Sequence, residues 1–243
     1  MLCYNLYIES ITGFLMKGYT MEKCISGNSK TLKSCDFSTN CPKRRDGKEC
    51  DYCYARTARD HNFNAKKIYD AKYTGEVMRM KKSTIKRLNK GGGLRMFSFG
   101  DYMPFMNADI KAMLDDCLNV GLGVKVITKQ TSFVKKFHDH KAINVIHLSV
   151  DTIGCGILLS TASNMKNRYK KVAIRCVCLT MNDVEFYGKN KNIDIMTLNH
   201  GANGFEQFRG AKKMAIEKKY KGRVCCNTGK CETCKIKCRR AKV

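Results

Sequence analysis

Apolar positions along this 243-residue chain fall into two kinds of run that take turns. Short blocks rich in β-branched and aromatic residues predict strands, and blocks with an apolar residue every three or four positions predict helices. Residues 94–99 (LRMFSF) predict a buried strand, bounded by Gly91-Gly92-Gly93 and Gly100. Residues 109–120 place Ile110, Met113, Leu114, Cys117 and Leu118 on one helical face, with Asn107 or Asp109 as N-cap and Gly121 beyond the end. A strand at 124–128 (VKVIT), a helix at 132–140 and a strand at 143–150 (INVIHLSV) follow. The polar stretch 164–171 leads into a strand at 172–179 (VAIRCVCL). A last strand is expected at 193–198, and a basic closing helix at 205–219.

Strands separated by helical segments imply βαβ units and a mostly parallel sheet, as an open α/β fold or a partial barrel. In such folds chemistry gathers at the carboxyl ends of the strands. Gly100-Asp101, Lys129 and Asp151 each follow a predicted strand.

Composition adds three constraints. Hydrophobic residues make up 43% of the chain, enough for a real core. Fifteen cysteines are many, yet residues 1–20 lack the basic n-region and cleavage site of an export signal, so the cysteines are expected to be reduced, cytoplasmic and partly metal-bound. Met16 and Met21 offer alternative starts, which would make 1–21 a disordered N-terminal extension. No run approaches the roughly 18–20 apolar residues of a membrane span, so no membrane is expected as a partner. Lys and Arg number 46 against 21 Asp and Glu, a formal charge of +25. Such a field attracts polyanions and makes nucleic acid the natural partner class, although an AT-rich genome also inflates lysine.

Cysteine spacing carries the chemistry. Cys41, Cys50 and Cys53 stand in a C-x8-C-x2-C arrangement, with Tyr52 immediately before the last. Three thiolates are one short of a closed tetrahedral site, so an iron–sulfur cluster held by them would keep one metal position open for substrate or cofactor. A zinc knuckle completed by Cys35 or His61 is the alternative reading. A second group, Cys226, Cys231, Cys234 and Cys238, with Cys225 adjacent, can close around one metal centre, either zinc or a [4Fe–4S] cluster.

With these motifs in place the chain resembles the radical S-adenosylmethionine superfamily over residues 22–200. The resemblance rests on Cys50-x-Tyr52-Cys53, on Phe99-Gly100-Asp101 after the second barrel strand and on Leu148-Ser149-Val150-Asp151 after the fourth. It implies a partial (β/α) barrel of six parallel strands spanning 22–220, with a cysteine-rich metal-binding extension at 221–243. It also implies that Cys41, Cys50 and Cys53 hold a [4Fe–4S] cluster whose open iron chelates S-adenosylmethionine. Gly100 and Asp101 would then orient the methionine amine, and Ser149 or Asp151 would contact the ribose. The common motif has three residues between its first two cysteines, whereas eight intervene here, so Cys35 or Cys24 could replace Cys41 as the first ligand. The layout is similar to small phage-encoded radical S-adenosylmethionine-like proteins, whose substrates are unassigned. The implied activity is reductive cleavage of S-adenosylmethionine and hydrogen abstraction from a substrate, with nucleic acid as one candidate and a flavodoxin or ferredoxin as electron donor. The rival from another class is a zinc-dependent nucleic-acid-binding protein of replication or regulation.

Other conspicuous residues have plainer expectations. Cys176 and Cys178 alternate with apolar neighbours and are expected in the core, as are Cys117 and Cys155. His147 sits in an apolar strand and is expected to be a core histidine. Asp101 and Asp151 could equally be turn-forming or capping carboxylates. His200-Gly201-Ala202-Asn203-Gly204 ends a predicted strand and is a candidate substrate loop.

Overall fold

The computed structural model describes residues 25–26, 33–35, 94–97, 101–199 and 204–225. These residues form an α/β fold around one sheet, whose strands are β1 (Ile25–Ser26), β2 (Lys33–Cys35), β3 (Leu94–Met96), β4 (Val124–Thr128), β5 (Ile143–Val150), β6 (Val172–Cys178), β7 (Ile195–Leu198) and β8 (Val224–Cys225). The helices are α1 (Asn107–Asn119), α2 (Thr131–Phe137), α3 (Leu159–Arg168), α4 (Met181–Lys189) and α5 (Gly210–Lys219). Spatial order follows sequence order from β1 to β8. β1 pairs antiparallel with β2, and every later pairing is parallel. The six strands of three or more residues, β2 to β7, form a curled half-barrel with helices between them.

Sequential order explains the curl. Right-handed crossovers between successive neighbours bring every helix to the same face, so the sheet wraps that face outward as a barrel does. The two faces accordingly differ. Leu94, Met96, Val126, Leu148, Ile174 and Met196 pack against Ile110, Leu114, Phe133, Val134, Val184 and Ile216 of the helices in one buried core. The opposite, concave face alternates with it along β4 and β6, where half-buried Lys125, Ile127, Ala173, Arg175 and Val177 interleave with fully buried neighbours.

Several expected elements take different bounds. The strand expected at 94–99 ends at Met96, because Phe97 adopts a left-handed backbone (φ 62°) and turns the chain out of the sheet. That conformation costs a phenylalanine about 1–2 kcal/mol. Ring packing offsets it: Phe97 meets Phe133 edge-on at 5.5 Å, and Tyr102 meets the same ring at 5.4 Å. Neither Asn107 nor Asp109 caps α1. A 3-10 turn, Pro104–Met106, leads straight into the helix, and Asn107 Oδ1 instead accepts from Tyr102 OH at 2.8 Å. Two helices, α3 and α4, lie where no helix was expected, and the closing helix starts at Gly210 rather than 205. Among the described residues no helix is long and apolar enough to cross a membrane.

Candidate functional site at the carboxyl ends of the strands

The carboxyl ends of β3 and β4 are tied by one carboxylate. Asp101 is buried between them, and its Oδ1 accepts from Tyr102 N at 2.7 Å and from the Thr128 hydroxyl, while Oδ2 accepts from Lys129 N at 2.8 Å. Burial raises its pKa above the ordinary carboxylate value, and these three hydrogen bonds pull the other way. The aromatic packing of Tyr102 on Phe133 fixes the segment that carries it. Gly100, its expected partner in the site, lies outside the described residues.

Two further carboxylates repeat the device along the same edge. Asp183 accepts from Thr152 Oγ1 at 2.9 Å and from the backbone N–H groups of Leu179 and Thr180 at 2.8 and 2.9 Å. Its own N–H donates to Thr180 Oγ1 at 3.2 Å, completing the capping box of α4, so this one residue ties the end of β6 to the loop after β5. Glu206 accepts from Met181 N at 2.6 Å, pairs with Lys212 and donates its N–H to Leu179 O at 3.1 Å, fastening the segment after β7 over the end of β6. Neither Asp183 nor Glu206 was singled out in the sequence; the Thr180-x-x-Asp183 spacing was the readable signal for the first.

Asp151 follows β5 and folds its own loop. Its Oδ1 accepts from Ile153 N at 3.1 Å and Cys155 N at 2.9 Å, the turn-forming role its short side chain permits. Ser149, two residues earlier, is buried on the concave face, and its carbonyl accepts from Ile157 N at 3.1 Å. Gly156 seals this loop. A Cβ there would come within 2.8 Å of Ser149 O and 2.9 Å of Asp151 N, both backbone atoms that cannot step aside. Gly156→Ala is therefore expected to cost about 1–3 kcal/mol, read as a lower urea midpoint with an unchanged m-value. An unshifted midpoint would mean the loop is not packed in this way.

The concave face carries cations that sequence reasoning passed over, beside Ser149 and His147, which it did not. Arg95 lies beside Lys125 in the β3–β4 register, and Ser149 lies beside Arg175 in the β5–β6 register. Arg175 Nε donates to Thr197 Oγ1 across to β7 at 2.7 Å, and His147 is fully buried on the same face. Two like charges side by side on neighbouring strands are unfavourable by themselves. The signal was present: a cation at an alternate position of an otherwise apolar strand, as in VKVIT and VAIRCVC.

No protein family, curated protein or solved structure matches this chain.

The proposed cluster ligands Cys41, Cys50 and Cys53, with Tyr52, and the second group Cys226, Cys231, Cys234 and Cys238 lie outside the described residues, as does the loop 200–203. Among the described residues no group of three or more His, Cys, Asp or Glu is disposed to hold a metal. Cys35, the alternative first ligand, ends β2 in register with Met96. Cys117, Cys176 and Cys178 are free thiols in the core as expected. Burial pushes Cys117 and Cys178 up to about 12, so they stay protonated and are poor ligands. Cys155 corrects its expectation: it is only half-buried, because it belongs to the Asp151 loop rather than to a strand.

Proposed function

We propose that this protein is a radical S-adenosylmethionine enzyme. The observation that carries the reading is the three-cysteine motif with its preceding tyrosine, in a chain whose half-barrel has Asp101 after the second parallel strand and Ser149 and Asp151 at the end of the fourth. The donor set fits the group: three thiolates within thirteen residues suit a [4Fe–4S] cluster with one open iron, in a chain whose +25 charge offsets that of thiolate-bound iron. Such a cluster, once reduced, supplies the electron that cleaves S-adenosylmethionine to methionine and a 5′-deoxyadenosyl radical. The chain's own residues would bind and orient. Asp101 would accept from the methionine ammonium, and Ser149 or Asp151 would meet the ribose. Arg95, Lys125 and Arg175 on the concave face would favour a substrate carrying acidic groups, such as a nucleotide or nucleic acid.

The test is anaerobic purification with iron, sulfide and zinc quantified, followed by EPR of the reduced protein with and without S-adenosylmethionine. Several irons per chain and a spectrum that changes on adding S-adenosylmethionine are expected. The charge of +25 favours a second reading, a zinc-dependent nucleic-acid-binding protein. Zinc without an EPR signal would decide for it.

A further inference from the structure

Among the described residues, positive charge is concentrated at one end of the barrel, the end remote from the candidate site. The segments that lead from a helix into β5, β6, β7 and β8 (residues 135–141, 166–171, 189–194 and 217–223) hold thirteen Lys and Arg against three Asp and Glu. From the ends of β4, β5, β6 and β7 through the first three residues of the helices that follow, the described residues carry only Lys129, Arg209 and Lys212 against Asp151, Asp183 and Glu206. One or two cations at each helix C-terminus are what the helix dipole favours. Three or four in most of these segments exceed that.

A few of these cations are staples, and they make the array continuous. Lys171 Nζ, before β6, donates to His140 O, before β5, at 2.8 Å. Lys166 Nζ reaches the segment before β7 through Asp194 Oδ2 at 2.7 Å and Asn192 O at 2.7 Å. Arg223, before β8, donates to the carbonyls of Tyr187, Gly188, Asn190 and Ile193 between 2.6 and 3.1 Å. Four neighbouring connections are thus locked to one another. Their remaining cations stand exposed: Lys135, Lys136 and Lys141 before β5, and Arg168 and Lys170 before β6. Lys189 and Lys191 do the same before β7, and Lys218, Lys219 and Lys221 before β8.

We infer that this amino-terminal edge of the sheet is a docking surface for the phosphodiester backbone of nucleic acid. Adjacent strands lie about 4.8 Å apart, so the arc from β5 to β8 spans about 14 Å, the rise of about four phosphates along one strand of a duplex. Lysines dominate its exposed cations, and they supply point charges for phosphate rather than the bidentate fork that reads base edges, so binding is expected to be independent of sequence. An anionic membrane fits less well. Among the described residues, none of the exposed large apolar side chains, Phe105, Leu118, Ile153, Leu158, Phe186 and Met214, lies in these four segments to enter a bilayer. The surface stands apart from the strand ends that carry Asp101 and Asp151, so it anchors a polymer without occupying the site, and it does so whether or not the protein holds iron.

The experiment compares two full-length quadruple variants that each lower the formal charge by the same amount. Lys141→Gln, Lys170→Gln, Lys191→Gln and Lys221→Gln neutralise one exposed lysine in each connection. Ser132→Glu, Ser160→Glu, Asn182→Glu and Gln207→Glu add four carboxylates at exposed positions toward the opposite end. Anisotropy titrations use a fluorescein-labelled 20-base-pair DNA duplex, a 20-nucleotide RNA and vesicles containing phosphatidylserine. The lysine variant is expected to bind DNA or RNA at least about tenfold more weakly, with the salt slope reduced by about 3, while the glutamate variant stays within about threefold of the parent. The duplex and RNA arms say which polymer is preferred. Equal weakening in both variants, or binding to vesicles but to neither nucleic acid, would overturn the assignment.

Discussion

Replacing Cys50 and Cys53 together by alanine is expected to remove iron from the amino-terminal site and to abolish any change in the EPR spectrum on adding S-adenosylmethionine. The two residues form a C-x2-C pair, a spacing at which both thiolates can ligate one metal centre. With both gone, a single cysteine of the motif remains, and one thiolate does not retain a cluster that needs three. Metal held by Cys226, Cys231, Cys234 and Cys238 is expected to survive, so the loss is partial if both sites hold iron. The fold should survive too. The hydrophobic core runs from Leu94 on β3 to Val224 on β8, and the far-ultraviolet circular dichroism that reports it should not change. Unchanged iron in the double variant would sink the radical reading. The third ligand is then decided by single substitutions: Cys41→Ser should reproduce the loss, and Cys35→Ser should not, or the reverse. Separating the two matters because Cys35 already ends a strand of the sheet, whereas the motif itself follows it.

How much of this architecture was legible depends on which physical force set each element. β5 was readable to the residue because seven of its eight positions are buried, leaving an apolar run that only a strand between packed layers would need. α3 was missed because it fully buries only Ala162, with Leu159 and Met165 half-buried beside it, so its apolar stripe is short and set among polar residues. Its position comes from the crossover between β5 and β6 rather than from its own composition. α4 begins at a capping box, Thr180 with Asp183, and the feature was there to be seen three residues apart. The early end of β3 had no such sign: Phe97 in a left-handed backbone is fixed by ring contacts to a helix more than thirty residues away. Charge shows the same limit. The sequence states how many cations there are, and only the fold shows that thirteen of those on the described residues gather at the amino-terminal edge of the sheet while three carboxylates fasten the other edge.

Asp101→Ala is expected to destabilise the fold by about 2–4 kcal/mol, because it leaves two buried donors and one half-buried donor without their acceptor. Thr128 Oγ1 can rotate toward another group, but the N–H groups of Tyr102 and Lys129 are fixed by the backbone. The same carboxylate joins two strand ends, so its loss also loosens the segment that Phe97 and Tyr102 anchor on Phe133. The pH dependence has a definite sign. Burial raises the folded pKa above the unfolded value near 3.8, so the native state holds the proton more tightly and the wild type loses stability as pH rises from that value through the folded pKa. The variant lacks this term. The gap between the two proteins in urea unfolding is therefore expected to be widest at low pH and to narrow as pH climbs. A gap that widens toward neutral pH would mean that the three hydrogen bonds outweigh burial and that the carboxylate is ionised in the native state. Asp101→Asn separates the structural task from the proposed binding task. It keeps one oxygen for Tyr102 and Thr128 and presents an amide N–H₂ where Lys129 N once found an acceptor, so it should fold with a smaller loss. It removes the negative charge that a ligand ammonium would meet, and weaker S-adenosylmethionine binding in a folded Asn variant is the expected result. Undiminished binding would confine Asp101 to holding β3 and β4 together.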